Sequence, residues 1–264
     1  MFRSSFYRIF ACVNNSKNMK KALFLFLILH SSPFTLHLKA QRQITTERVE
    51  VTNRLDAKPD PAAMTIMEKY KPAVDSLVAP ILGESLMGMT GGRPESLLSN
   101  WSADVLVASS DFVDGKQADL GLFNMGGLRN NMPKGIIRRG DIMLISPFNN
   151  HLAVAHLKGS DLLELMRNIA AVHGEGVSRE VRLVITKEGR LESATIGGAP
   201  IDPERIYRVA TNDYLTDGND KMFAMKKALK VDVSEAIVRE CMMKYIEQHS
   251  PISAAIEGRI VVKD

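Results

Sequence analysis

Apolar positions recur along this chain in two periods, and the alternation between them outlines the fold. Met64, Met67, Tyr70, Val74, Leu77 and Val78 fall at helical spacing and predict a helix with one apolar face. Asp60-Pro61 opens it, with proline in the first turn, and Pro72 is expected to kink or split it. Ala79 to Met89 reads as extended and ends at Thr90-Gly91-Gly92, after which Leu97 to Val107 reads as a helix. Leu120 to Phe123 predicts a strand. Leu152, Val154 and His156 alternate with Ala153, Ala155 and Leu157, as in a strand buried on at least one face. Gly159-Ser160 reads as the cap of a helix containing Leu162, Leu163, Leu165, Met166 and Ile169. Arg182 to Thr186 and Leu191 to Ile196 flank Lys187-Glu188-Gly189-Arg190, a hairpin pattern. Ile206 to Ala210 predicts another strand. Met222 to Leu229 and Ser234 to Gln248 read as helices, the second opened by a serine cap, and Arg259 to Val262 as a closing strand. Strands and helices interleave with hairpins and without a strict βαβ repeat. The expectation is an α+β fold of mixed β-sheets with helices packed on the outer faces.

Charge changes the picture only at the N-terminus. The formal net charge of +4 suggests a basic protein, but residues 1–40 hold Arg3, Arg8, Lys17, Lys20, Lys21 and Lys39 and no acid. Lys20-Lys21 precede the apolar run Ala22 to Leu29, and Leu38-Lys39-Ala40 supplies a small-residue end, the layout of a secretory signal. The run is short for a membrane span. Met19 makes a more typical start than Met1. Cleavage after Ala40 removes six cations and leaves a formal charge of −2. An exported, periplasmic or extracellular protein with no general pull toward nucleic acid is expected, with no membrane span after cleavage. Residues 1–40 are thus assigned to the signal segment, 41–57 to a linker and 58–264 to the domain. Cleavage also removes Cys12 and leaves Cys241, which lies on a helical ridge with Ile237 and Tyr245 and reads as a buried small hydrophobe.

One stretch stands out for chemistry. The strand Leu120 to Phe123 runs into Asn124-Met125-Gly126-Gly127-Leu128-Arg129. Paired glycines let the backbone approach a ligand, and Asn124 and Arg129 place an amide and a fixed cation at the mouth of the turn. Such a turn suits a phosphate or a sugar hydroxyl, although most strand-to-loop turns of this kind bind nothing.

Several segments together resemble the C-terminal domain of the 5′-nucleotidases, a group that includes UDP-sugar hydrolases and 2′,3′-cyclic phosphodiesterases. Glu95-Ser96-Leu97-Leu98-Ser99-Asn100-Trp101-Ser102-Ala103-Asp104 is similar to the family's early helix. Asn124 to Arg129 resembles its asparagine-triglycine-isoleucine-arginine turn. Pro147-Phe148-Asn149-Asn150 with Leu157-Lys158-Gly159, and the loop Tyr214 to Asp220, resemble two later motifs in the right order. The resemblance implies that Phe148 and Tyr214 sandwich a base, Asp220 accepts from ribose hydroxyls, and Asn124 bonds base or sugar beside Gly126 and Gly127. It also implies that Arg129, with Arg93, meets phosphate or ribose oxygens. Met125, Asn219 and Ser99 stand where the family has glycine, and Arg93 lies two residues before Glu95 rather than three. Without the other motifs, Phe148 reads as core, and Asp220 can serve only as an N-cap for the helix at Met222. His151 and His156 read as strand surface or satisfied core residues, and Lys226, Lys227 and Lys230 as a solvated face.

The family's chemistry belongs to a separate metallophosphatase domain with Asp-x-His and Gly-Asn-His-Asp/Glu motifs. No histidine of this sequence sits in an Asp-x-His, and Asn150-His151 is followed by Leu152. A dimetal site needs most of its ligands from protein side chains. No cofactor is therefore expected in this chain, which is expected to be inactive alone as a phosphoester hydrolase. The expected partners are a nucleotide or nucleoside and a metallophosphatase on a separate chain carrying the divalent metals. The alternative expectation is a stand-alone, non-catalytic nucleoside-binding protein.

Overall fold

The computed structural model describes residues 45–263, so the expected signal segment, Met19 and Cys12 lie outside the described residues. The chain divides into two compact units, Met1–Lys58 and Pro59–Asp264. In the first, Asn53–Ala57 forms a short 3-10 turn. In the second, Asp60 accepts hydrogen bonds from Ala62 N at 2.7 Å and Ala63 N at 3.2 Å and so starts helix α1, Pro61–Val78. Pro72 lies inside α1 without splitting it. The helix buries no residue, so water can satisfy the carbonyl that Pro72 leaves without a donor. Its apolar stripe stays exposed at Ile66, Met67, Tyr70, Val74 and Leu77.

The remaining elements follow in chain order: β1 Ile81–Ser85, α2 Leu97–Ala108, α3 Asp111–Asp114, β2 Leu120–Phe123, β3 Gly135–Arg138, α4 Arg139–Ile145, β4 His151–Lys158 and α5 Gly159–Ala171. They continue with β5 Gly176–Val177, β6 Val181–Thr186, β7 Leu191–Ile196, β8 Ala199–Pro200, β9 Ile206–Asn212, α6 Asp213–Thr216, β10 Lys230–Ile237, α7 Val238–His249 and β11 Ile260–Lys263. The central sheet has the order β10-β4-β9-β2-β5, and a second has the order β11-β6-β7-β8. Both are mixed: β2 runs parallel to β9 and β11 parallel to β6, while the other pairs are antiparallel. This is the expected α+β class. Among the described residues no helix is long and apolar enough to cross a membrane.

Alternation along the central strands builds a core on each face. Leu120, Leu122, Ala155, Leu157 and Val209 point toward α5, joined there by Leu183 and Ile185 of the second sheet. Phe123, Leu152 and Ala210 point the other way, toward α2 and α7. Burial on both faces explains why β2 and β4 read as nearly continuous apolar runs. Gly121 lets the sheet and α2 close up, since a Cβ there would lie 2.4 Å from the Ala103 carbonyl oxygen.

The early-helix motif serves this architecture. Ser96 and Ser99 form a capping box at the start of α2. Glu95 accepts from Asn100 Nδ2 and from the backbone N–H groups of Glu257 and Arg259. Asp104 meets the buried Arg259 guanidinium with two contacts of 2.9 Å. These polar residues clamp the C-terminal segment onto α2.

Three assignments of element ends and type change. Ser234 caps no helix: it lies inside β10, where its hydroxyl donates to the Leu152 carbonyl at 3.0 Å, and the helix begins only at Val238. The alternation of Lys230, Asp232 and Ser234 with Val231 and Val233 suits an edge strand beside β4, and the backbone groups pair there. Residues 223–227 form a 3-10 turn rather than an α-helix spanning Met222 to Leu229. Gly159 and Ser160 do not provide a side-chain cap for α5 either, because its N-cap position is Lys158.

Candidate nucleoside-binding cleft

Topology brings three loops to one end of the central sheet. Parallel β2 and β9 both end there, so the turn after Phe123 and the segment after Asn212 emerge side by side. Antiparallel β4 begins at the same end, with Leu152 opposite Asn212, so the loop carrying Phe148 arrives beside them. Antiparallel β5 also begins there, with Gly176 opposite Phe123.

Between these loops lies a cleft of about 180 Å³ lined by Asn124, Gly126, Arg129, Phe148, Asn150, Tyr214 and Asp220. Phe148 and Tyr214 remain 38% and 40% exposed, which rules out the reading of Phe148 as core. The Arg129 guanidinium lies 5.3 Å from the Phe148 ring centroid, within cation–π range. Arg239 braces the Phe148 loop from behind, donating to the Phe148 carbonyl at 3.1 Å and to Asn149 Oδ1 at 2.9 Å.

A buried chain of side-chain hydrogen bonds sets the floor. Asn212 Oδ1 caps α6 by accepting from Leu215 N at 2.9 Å, and its Nδ2 donates to Asn124 Oδ1 at 3.1 Å. This fixes Asn124 so that its Nδ2 donates to Asp220 Oδ2 at 2.7 Å. The Tyr214 hydroxyl donates to the other Asp220 oxygen at 3.1 Å, and that bond pushes the phenol pKa up. Asp220 is therefore held from two sides and keeps lone pairs for a diol. It caps no helix; it sits in the left-handed region at φ 51°, followed by Lys221 at φ 67°. Each such non-glycine residue costs about 1–2 kcal/mol, so this turn is held by its surroundings. Gly126 keeps the floor open, since a Cβ there would stand 3.2 Å from Asp220 Oδ2. A Cβ on Gly127 would press at 3.0 Å on Asn124 Oδ1.

Arg93 is placed apart from the aromatic pair. It lines a neighbouring cleft with Gly91, Gly92 and Arg129, and another with His173, Glu175 and Lys221. Its Nε donates to the Gly174 carbonyl at 2.7 Å and its Nη2 to Glu175 Oε1. Glu175 is buried and also accepts from Met125 N, so one carboxylate ties Arg93 to the glycine turn. Burial raises the Glu175 pKa above the usual carboxylate range against the opposing pull of Met125 N and Arg93. A folded-state pKa above the unfolded value means a contribution fully present at low pH and lost as pH rises through the folded pKa. Glu175→Gln removes that loss. The stability of the variant relative to wild type is expected to improve as pH rises above about 4 in urea titrations, while Arg93 keeps its bond to the Gly174 carbonyl and loses the charge of its partner.

Glu175, Asn150 and Asn212 are not among the residues that the motifs mark as site candidates. Asn150 closes the Pro147-to-Asn150 motif and is open to recognition there, whereas nothing local marks Glu175 as the partner of an arginine 82 residues away. Other candidates fall away. Asp114, His156 and Asp232 place ligand atoms within 4.8 Å of one another. However, Arg208 holds Asp114 with two hydrogen bonds and Lys230 lies 2.7 Å from Asp232, so both carboxylates already face cations. The group does not suit a dimetal centre. His151 bonds the Ser234 carbonyl. Cys241 is buried, with its thiol pushed up to about 11, and offers no thiolate.

Comparison with known proteins bears on the fold and the family. The family model described as "5′-nucleotidase, C-terminal domain" matches residues 78–228, more than half of the chain. The chain is 26% identical over 233 residues to endonuclease YhcR of Bacillus subtilis, covering 84% of this chain and 19% of that protein. It is 24% identical over 245 residues to protein UshA of Yersinia enterocolitica, covering 88% and 43%. The 5′-nucleotidase precursor from Thermus thermophilus superposes with a TM-score of 0.69 at 26% identity, covering 78% of this chain and 44% of that one. The chain thus spans less than half the length of these relatives. It belongs to the 5′-nucleotidase C-terminal-domain family.

Proposed function

We propose that this chain is an exported nucleotide-recognition domain that presents a phosphate ester to a metallophosphatase on a separate chain. The observation that carries the reading is the cleft itself: two exposed aromatic rings flank a carboxylate fixed by Asn124 and Tyr214. Ring faces accept any base, a carboxylate suits a ribose diol, and a guanidinium suits phosphate. In this reading Phe148 and Tyr214 stack on the base, Asp220 and Asn124 take the ribose, and Arg129 meets the 5′ phosphate with Arg93 beside it. Asn150 lines the same cleft and adds an amide within reach of the ligand. The partner supplies the metals and the attacking water. Export rests on Lys20-Lys21 and the apolar run Ala22 to Leu29.

The test measures AMP hydrolysis by the purified chain, alone and with a metallophosphatase from the same genome plus a divalent metal, alongside calorimetric titration with adenosine and AMP. Binding by the chain, with turnover only in the mixture, is expected. Metal-dependent turnover by the chain alone at a normal enzymatic rate overturns the proposal. Met125, Asn219 and Ser99, which stand where the family has glycine, favour a second reading, a stand-alone nucleoside binder. Tight binding with no turnover in any mixture would establish that one.

A further inference from the structure

Two clefts meet at Asp220 and a third adjoins both, and the nucleoside reading uses two of the three. The aromatic cleft shares Gly126 and Asp220 with a cleft of about 530 Å³ on the other side of the carboxylate. That cleft carries Arg93, His173 and Lys221. The remaining cleft, of about 390 Å³, shares Arg129 with the aromatic one and Arg93 with the 530 Å³ one. A ligand seated against Asp220 can therefore place a base between Phe148 and Tyr214, one arm directly in the 530 Å³ cleft, and another past Arg129 toward the 390 Å³ cleft.

Lys221 gives the 530 Å³ cleft its character. It is exposed and has no ion-pair partner among the described residues. It is held at φ 67°, a left-handed conformation that glycine adopts freely and lysine does not. Backbone strain at the rim of a cleft points to use of the residue there. His173 is also left-handed, at φ 61°, but that follows from closing α5: its N–H and that of Gly174 return to Ala170 and Ile169 carbonyls. Arg93 has engaged Nε and Nη2, while Nη1 donates to no described residue. The opposing charges are Glu175, already taken up by Arg93 and Met125 N, and Asp220, held by Asn124 and Tyr214.

We infer that this cleft is an anion subsite for a phosphate on the 2′ or 3′ oxygen of the ribose. The preferred ligand class is then a nucleoside bisphosphate carrying one phosphate at 5′ and one on the ribose ring. One ring hydroxyl remains to donate to Asp220. The other, phosphorylated, turns toward Lys221 and the open side of Arg93, where charge-assisted hydrogen bonds are available. The inference rests on the nucleoside reading of the aromatic cleft.

The test is calorimetric titration of the full chain with adenosine, 5′-AMP and adenosine 3′,5′-bisphosphate, for wild type, Lys221→Gly and Lys221→Gln. Wild type is expected to bind the bisphosphate about ten-fold tighter than 5′-AMP. Both variants are expected to lose that margin and to keep the affinity for adenosine. Lys221→Gly should also unfold no earlier than wild type, because glycine suits the backbone there. Lys221→Gln keeps the lysine's backbone demand and removes only the charge. A bisphosphate that binds no tighter than 5′-AMP, or a margin that survives both substitutions, overturns the inference. Absence of adenosine binding in wild type overturns the nucleoside reading itself, and this inference with it.

Discussion

Phe148→Ala is expected to weaken adenosine binding by about ten- to a hundred-fold while leaving the unfolding midpoint essentially unchanged. The two halves of this expectation have separate causes. Stacking of a base on an aromatic side chain is worth about 1–3 kcal/mol, which sets the affinity loss. The ring is 38% exposed and belongs to neither hydrophobic core, so its removal leaves no buried cavity. The loop keeps its position because Arg239 holds the backbone carbonyl and Asn149, not the ring. Calorimetric titration paired with a thermal melt checks both halves. A large fall in stability would show that Phe148 belongs to the core, and unchanged affinity would remove it from the cleft. Arg129 loses its cation–π partner in the same variant, so binding of AMP should fall at least as far as binding of adenosine.

The largest expected stability effect lies at a residue that does not line the cleft. Arg259 is 2% exposed and donates to Asp104, to Glu257 and to the carbonyls of Asn100 and Val177. Arg259→Leu leaves two buried carbonyls and most of a carboxylate without these donors. Breaking a buried pair from one side costs about 3–5 kcal/mol, a large part of the ordinary stability of a domain. Arg179 also reaches Asp104, at 3.1 Å, which places the expectation toward the lower end. Urea denaturation of Arg259→Leu and Arg179→Ala separates the two arginines. The Arg179 side chain is 64% exposed, and its loss is expected to cost under about 1 kcal/mol. Equal effects would refute the view of Arg259 as the clamp between α2 and the C-terminal segment.

The early-helix motif marks the family without contributing to the cleft. Glu95, Asn100 and Asp104 help identify the family, and identification does not say what a residue does. Their side chains face Arg259 and the 255–259 backbone rather than the cleft. The later motifs carry the cleft residues themselves: Asn124, Arg129, Phe148, Tyr214 and Asp220 line one space although 96 residues separate the first from the last. Arg93, the residue whose spacing departs from the family's, is also the one placed outside the aromatic cleft.

The α+β class, most of the strands, the helices α2, α5 and α7 in outline, and the family are all legible in the order of residues. Alternation and helical periodicity are local properties, and turn motifs carry their chemistry within a few residues. Which polar residues are anchored and which are free emerges from packing between distant segments. Asn124 is aimed by Asn212, Arg93 is tethered by a buried Glu175, and Ser234 joins a strand because β4 offers it a backbone partner. The apolar face of α1 was equally legible as a pattern, yet it stays exposed within Pro59–Asp264 because no described element of that unit covers it. Burial and pairing depend on what arrives from distant parts of the chain, and no local pattern contains that information.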